Sequence, residues 1–324
     1  MLPPAPIIVS VYDRLEHLKS CLASLARNPA APDSPLFIVS DGPKTEEARD
    51  RILSIRDFAG AVRGFGTTTV LARESNLGSF QSVKSAIDEI LPLSGRAIFL
   101  EDDNVVSPNF LEFLNEGLGF YEDDPSVFSI SAYGYPVAIP PAYGSAVYAW
   151  PGFSAWGVGL WADRWASVQW SYDGFEDVRR DRRRRRAMDR NAEHLARYIK
   201  SDLEKGRMII DTVVSFRIFL RKQYSLFPVV SKVRNIGHDG SGEHGGRADL
   251  YRRQEIDPGG PSGFVAGIRP DERIGRVLRK HFRVPFPAKI RSALGERLTA
   301  RQRDWLKSHL GFLGGKSPER TSRS

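Results

Sequence analysis

The segment FLEDDN, residues 99–104, sets three carboxylates, Glu101, Asp102 and Asp103, directly behind a short apolar run. Adjacent acids beside buried chain repel one another, and that cost is relieved by a cation. Hard oxygen donors suit Mg2+ or Mn2+, and an ion held by one or two carboxylates keeps positions open for substrate phosphates. Two other apolar runs end on ionisable groups: IIVSV leads into Tyr12, Asp13 and Arg14, and LFIVS into Asp41 and Gly42. A guanidinium matches phosphate oxygens in pairs, and a carboxylate accepts from an N–H donor. Farther along, IIDTVVSFRIFL opens a helical pattern with Asp211, where an acid suits the helix macrodipole as well as proton transfer. Trp150, Trp156, Trp161 and Trp165 stand among glycines. Trp156 is assigned to a sugar-contacting wall, with plain packing as the other use of such rings. The glycines of GHDGSGEHGG permit close backbone approach to a diphosphate, with His244 placed to touch phosphate or metal.

The elements that must carry these groups follow from hydrophobic periodicity. Short β-rich runs at 7–11, 36–40, 68–71, 97–100 and 127–131 alternate with helical patterns such as Leu15, Leu18, Cys21, Leu22 and Leu25. That alternation predicts parallel strands joined by crossover helices, in which ligands bind beyond the carboxyl ends of the strands. The acidic triplet, Arg14 and Asp41 are therefore expected on one rim. Ser107 and Pro108 read as the cap and first residue of a helix through Phe113 and Leu114. Asn76 to Gly78 reads as the turn into the third helix, which carries Lys84 as a weak donor-site candidate. Loops are expected to dominate 132–175. Helices follow at about 191–204 and 209–221, then a strand-like run at 226–233, a loose connection at 254–270, and a weakly periodic basic extension, partly disordered.

Composition bounds the rest. The chain has 324 residues, 41% of them hydrophobic, and a formal net charge of +8, values that describe a globular protein. Residues 261–324 hold 15 Lys or Arg against 5 Asp or Glu, which leaves the preceding body nearly neutral. A second basic cluster, Arg179, Arg180 and Arg182 to Arg186, is broken only by Asp181. Runs of this kind are solvated faces, or they suit phosphate-rich partners. Cys21 is the single cysteine, so no internal disulfide is possible. No uninterrupted apolar run is long enough to span a bilayer, and the expectation is a cytoplasmic protein. No aromatic-basic RNA motif or metal-finger spacing occurs, so no nucleic-acid partner is expected.

In this order the segments resemble a family. VYDRLEHLKSCLASL, IVSDGP, FLEDDNVVSPNFLEF, SAWGVGLWADRW and VVSKVRNIGHDGSGEH are similar to successive parts of the GT-A nucleotide-sugar glycosyltransferases, of the inverting N-acetylglucosaminyltransferase I type and its bacterial relatives. The resemblance spans about residues 6–246. It implies a GT-A fold, a Rossmann-like, mostly parallel α/β sheet flanked by helices, over 1–250. Residues 1–131 would be the nucleotide-binding half, 132–250 the acceptor and catalytic half, and 251–324 a basic C-terminal extension. It implies Mn2+ or Mg2+ held directly by Asp103. Glu101 and Asp102 would contact metal-bound water, ribose or donor sugar; Asp41 would accept from the base; Arg14 would face the nucleotide or its diphosphate. Asp211 takes the place of the catalytic base, although Ile210 stands where bacterial relatives often carry tryptophan; Asp239 and Glu243 are the substitutes. The expected activity is transfer of a hexosyl or N-acetylhexosaminyl group from a nucleoside-diphosphate sugar, UDP-linked by the resemblance, to a saccharide or lipid-linked acceptor in bacterial polysaccharide biosynthesis. The basic tail would touch anionic membrane peripherally. A non-catalytic nucleotide-sugar-binding scaffold and a nucleotidyltransferase are the alternatives; for the latter, YDRLEHL lacks the usual glycine-rich basic signature.

Overall fold

The computed structural model describes residues 3–240, 251 and 254–283, with the backbone alone for 191–193. The chain divides into two compact units, Met1–His281 and Phe282–Ser324, and every element described belongs to the first. The strands are β1 (Ile7–Val11), β2 (Pro35–Ser40), β3 (Thr67–Ala72), β4 (Arg96–Glu101), β5 (Asn104–Val106), β6 (Val127–Ser131), β7 (Val147–Trp150), β8 (Val158–Trp161), β9 (Tyr224–Pro228) and β10 (Val233–Asn235). The helices are α1 (Leu15–Leu25), α2 (Glu46–Gly60), α3 (Gly78–Ser94), α4 (Phe110–Phe120), α5 (Ala162–Ala166), α6 (Phe175–Arg180), α7 (Arg182–Glu204), α8 (Ile210–Arg221) and α9 (Glu272–His281).

Eight strands form one sheet in the order β3-β2-β1-β4-β8-β6-β9-β7, and β5 pairs with β10 in a separate antiparallel ribbon. Strands β3, β2, β1 and β4 run parallel, β8 is antiparallel to both its neighbours, β6 and β9 run parallel, and β7 opposes β9. This is a mixed α/β fold with a mostly parallel sheet flanked by helices, as the alternation of strand and helix patterns predicts.

Residue alternation explains why both faces are covered. Ile7, Val9 and Val11 of β1, with Leu36 and Ile38 of β2, join one apolar cluster with α1, α2 and α4; Ile8 and Val39 join the other with α3, α7 and α8. Successive strand side chains point to opposite faces, so a strand buried on both must be apolar throughout. At about 1.5–3 kcal/mol per buried aliphatic side chain, this pattern fixes the register of the sheet.

Several boundaries differ from the sequence reading. Helix α4 starts at Phe110, not Pro108, because the Phe110 N–H goes to the Ser107 carbonyl at 3.2 Å while the Ser107 hydroxyl bonds the Asn109 side chain at 2.7 Å. The stretch 132–175 holds β7 and β8 as well as loops, and β8 lies inside the sheet, between β4 and β6. The run at 226–233 is two strands, β9 and β10. Helix α7 begins at Arg182 with the arginine run as its first turns, capped by Asp181, whose carboxylate accepts from the backbone N–H groups of Arg183 and Arg184. Residues 254–270 carry no regular element yet are pinned to the body. Phe264 packs on Phe113 and Tyr121 with centroids 4.9 and 5.7 Å away, and Asp257 forms an ion pair with Lys232. Burial pulls Lys232 down to about 8 even beside that carboxylate. Ile274 and Leu278 of α9 are also buried, so the compact unit extends past 250 to His281. The remainder of the basic tail lies outside the described residues.

Candidate active site

The ladder continues beyond the strands and levels their ends. Asp102 N–H bonds Ser10 O at 3.0 Å, Asp41 N–H bonds Val11 O at 3.3 Å, and Arg73 N–H bonds Ser40 O at 2.9 Å. The residues following β1, β2 and β4 thus meet on one rim, as expected. Arg56, which the sequence reading overlooked, ties that rim together: its guanidinium donates to Ser40 O, Asp41 O and Arg73 O.

Arg14 and the acidic triplet form the centre of the rim. One guanidinium nitrogen of Arg14, Nη2, donates to Asp102 Oδ1 at 2.7 Å and to Asp103 Oδ2 at 2.9 Å. Both acids are buried, Asp102 at 4% exposure and Asp103 at 7%. The other oxygen of Asp103, Oδ1, accepts from the amides of Asn104 at 2.9 Å and Asn235 at 2.7 Å. Those two asparagines are partners across the β5–β10 ribbon, which is why the short strands matter. The Asp103 carbonyl accepts from Ile236 N–H at 2.8 Å, and Gly237 follows so closely that a Cβ there would lie 2.1 Å from Asp103 Oδ2. Asn235 and Gly237 belong to the VVSKVRNIGHDGSGEH segment singled out in the sequence, but their contact with Asp103 depends on a pairing across 132 residues.

Electrostatics follows from burial. Asp102 is pushed up to about 7, chiefly by loss of water, with Arg14 pulling the other way and Asp103 adding to the rise. Glu101 is raised well above the carboxylate range, again by burial first and then by Asp103, Asp211 and Asp102. Asp211 sits in the first turn of α8, its Oδ2 accepts from Ala155 N–H at 3.3 Å, and burial lifts it to about 7. The loop before β8 thereby holds both the partner of Asp211 and Trp156.

Trp156 is half-buried and packs edge to face against Tyr133 at 5.0 Å, Tyr251 at 5.1 Å and His238 at 6.0 Å. Tyr133 also meets Tyr135 at 5.1 Å, and the charge of Asp211 bears on the Tyr135 phenol. The tryptophan is thus one side of an aromatic group near Asp211, and the tyrosines that complete it carried no periodic signal in the sequence.

Asp41 is placed differently from the others. Its Oδ1 accepts from Gly42 N–H and Leu77 N–H, both at 2.9 Å, and its Oδ2 from Gly78 N–H at 3.0 Å and the Asn76 amide at 3.1 Å. Four donors fill its acceptor positions, so contact with a base N–H would require one of them to yield. The carboxylate anchors the turn into α3, and the Cβ-free Gly42 packs directly on Ser75. Lys84 is engaged by Asp88 and lies 5.1 Å over the Trp170 ring. Asp239 is half exposed and pairs with His17 at 3.3 Å. His244 and Glu243 lie outside the described residues.

Among the described residues no three His, Cys, Asp or Glu side chains gather as a complete cation site. Two carboxylate oxygens do converge, Asp102 Oδ1 and Asp103 Oδ2, on the point held by Arg14 Nη2. The Asn104 and Asn235 amides fix Asp103 by its other oxygen, as outer-shell partners orient a metal-binding carboxylate. This all-oxygen pair fits an ion such as Mg2+ or Mn2+ that draws its remaining ligands from water and phosphate.

No protein-family model matches the chain, and no curated protein does. Among solved structures it is similar to the mannosyltransferase PcManGT from Pyrobaculum calidifontis in complex with GDP-Man and Mn2+, at 14% identity, covering 50% of this chain and 46% of that one, with a TM-score of 0.36. It is also similar to S. aureus TarS at 14% identity, covering 47% of this chain and 25% of that one, with a TM-score of 0.32. The chain thus spans under half of the first protein and a quarter of the second. At such values the likeness adds nothing to the functional argument, which rests on the rim.

Proposed function

We propose that the chain is an inverting GT-A glycosyltransferase that moves a sugar from a nucleoside-diphosphate sugar to a saccharide or lipid-linked acceptor. The observation that carries this reading is the meeting, on one rim, of a guanidinium and two buried carboxylate oxygens; Asp211, buried at the start of α8 and raised to about 7, is the acid that accompanies them. Asp103, aided by Asp102, would hold Mn2+ or Mg2+, whose Lewis acidity helps the diphosphate leave. Arg14 binds diphosphate oxygens, and Glu101 faces the donor sugar. Asp41 shapes the base end through the turn at Asn76 to Gly78. Trp156 and its tyrosine neighbours wall the sugar. His244 would complete the diphosphate side.

Asp211 is the base in this reading. The acceptor oxygen attacks the anomeric carbon from the face opposite the leaving group, the bond to the diphosphate oxygen breaks with its electron pair, and Asp211 takes the hydroxyl proton. Configuration at the anomeric carbon inverts. A carboxylate lifted to about 7 is a stronger base than an exposed one and becomes the ionised form as pH rises through neutrality. The resemblance favours a UDP-linked hexose or N-acetylhexosamine.

The test is a thermal-shift screen of UDP- and GDP-linked sugars with and without Mn2+, followed by donor hydrolysis and transfer assays. One donor should stabilise the chain in a Mn2+-dependent manner. Asp103→Ala should abolish that stabilisation, and Asp211→Asn should keep it while losing transfer. A chain that no nucleotide sugar stabilises, or an Asp211→Asn variant transferring at the parent rate, overturns the assignment.

A further inference from the structure

We infer that Arg14 is an exchange cation that couples divalent-ion binding to phosphate binding at the rim. This rests on the nucleotide-sugar reading above and adds a thermodynamic property to it. The geometry leaves Arg14 two incompatible duties. A single nitrogen, Nη2, serves both Asp102 and Asp103, at 2.7 and 2.9 Å. Those carboxylates are consecutive, almost fully buried, and have Glu101 beside them. No Lys or His side chain makes an ion pair with either acid among the described residues, so Arg14 is the cation the structure gives them.

If Arg14 turns to a phosphate while no other cation is present, two adjacent buried carboxylates lose their partner, which is strongly unfavourable. If a divalent ion approaches the carboxylates while no phosphate is present, it meets the guanidinium held between them. Each event alone is therefore costly, and the two together are not: the ion takes the oxygens, and Arg14 keeps a full set of anionic partners on the phosphate. The backbone of Arg14 stays in place throughout, because its carbonyl accepts Leu18 N–H at 3.1 Å at the start of α1. Its side chain is 21% exposed and is the part free to turn. Gly237 leaves the room: a Cβ there would stand 2.8 Å from Arg14 Nη1. The expected result is positive coupling between ion and phosphate, equal in both directions because linkage is reciprocal.

The experiment measures Mn2+ binding to the full chain from the electron paramagnetic resonance of free Mn2+, without ligand and with saturating UDP, at about pH 8.5, well above the ordinary carboxylate values near 4. In the parent chain UDP should tighten Mn2+ binding by about tenfold or more, within the usual range of coupling between sites. Arg14→Gln should bind Mn2+ alone several-fold more tightly than the parent, and UDP should then tighten it by clearly less than in the parent, the remainder being the phosphate's own ligation of the ion. Arg14→Lys keeps the charge but offers a point ammonium in place of the fork, so it should fall between the two and serves where Arg14→Gln does not fold. If both variants bind Mn2+ alone no more tightly than the parent while UDP still tightens it fully, Arg14 is a fixed bridge and the exchange is refuted. If the parent binds neither Mn2+ nor UDP, the nucleotide-sugar reading falls with it.

Discussion

Gly237→Ala tests whether the β10 end is built around Asp103. The added Cβ would stand 2.1 Å from Asp103 Oδ2, 2.9 Å from its carboxyl carbon and 2.8 Å from Arg14 Nη1, whereas ordinary contact begins at 3.4 Å. Relief therefore needs a relative displacement of about 1.3 Å between residue 237 and the carboxylate, which is overpacking of a kind that costs ~1–3 kcal/mol. A shift of that size exceeds what the 2.7 Å bond from Asn235 and the 2.9 Å bond from Asn104 tolerate. Losing one hydrogen bond to a charged acceptor adds ~1.5–3 kcal/mol. Partial relaxation keeps the sum near 2–4 kcal/mol, or a fall in Tm of roughly 3–7 °C for a unit of this size. Gly237 is outside the left-handed region, so the effect is steric. Gly240 supplies the control: its φ is +94° with nothing within 4 Å of a Cβ, so Gly240→Ala carries only a backbone cost of about 1–2 kcal/mol. The assays are thermal unfolding and Mn2+-dependent UDP binding. A Gly237→Ala chain that melts within about 2 °C of the parent and binds UDP equally well refutes the packing argument.

Asp211 titrates near 7 because it is buried, so kcat/KM for transfer should rise with pH through about 7 and level off above it; a profile flat from pH 5 to 8 contradicts the base assignment. The same shift has a stability consequence. A carboxyl raised in the folded state contributes stability that is present below its unfolded value near 4 and lost as pH rises through about 7, so Asp211→Asn should gain on the parent by ~4 kcal/mol across that window in urea titrations. Asp257→Asn leaves Lys232 buried without its carboxylate and should destabilise by ~3–5 kcal/mol, while a Lys232→Met, Asp257→Asn double variant should recover most of that loss. Arg183→Glu places an acid in the first turn of α7 and should raise stability by ~0.3–1 kcal/mol, measurable as a shift in urea midpoint at constant slope.

How much of this was legible in the sequence depends on the range of the contact that decides each feature. Strands β1 and β6 match their apolar runs residue for residue, because Ile7, Ile8, Val9 and Val11, and then Val127, Phe128 and Ile130, mark strands covered on both faces, with Ser10, Ser129 and Ser131 as the polar exceptions. The gathering of Arg14, Asp41 and the acidic triplet also followed, since a parallel sheet brings strand ends to one rim by topology alone. Strand β8 was not foreseen: four residues in a Gly- and Trp-rich stretch become a central strand only because β4 and β6 leave a gap that an antiparallel segment fills. The β5–β10 ribbon was hidden for a similar reason, since two three-residue strands have no local periodicity and pair only across the chain. Asp41 was recognisable as a rim residue, but only the loop at Asn76 to Gly78 reveals that its acceptor positions are filled from within the protein.

Two places in the chain defy local preference, and the structure treats them differently. Of the three acids in succession, Asp102 and Asp103 are resolved by Arg14 from the end of β1, and Asp103 also by the amides of the adjacent Asn104 and of Asn235 on β10. Five arginines opening α7 oppose the macrodipole and repel one another at helical spacing, and Asp181 answers them with its carboxylate on the backbone N–H groups of Arg183 and Arg184 and its carbonyl on that of Arg185. Arg182 to Arg186 are all exposed. In the first case the local cost is offset by a constellation that fits phosphate and metal chemistry, and the compensation is itself the candidate site. In the second, only the Asp181 cap and solvent offset it among the described residues, so the Arg183→Glu measurement bears on that helix alone and leaves the reading of the rim untouched.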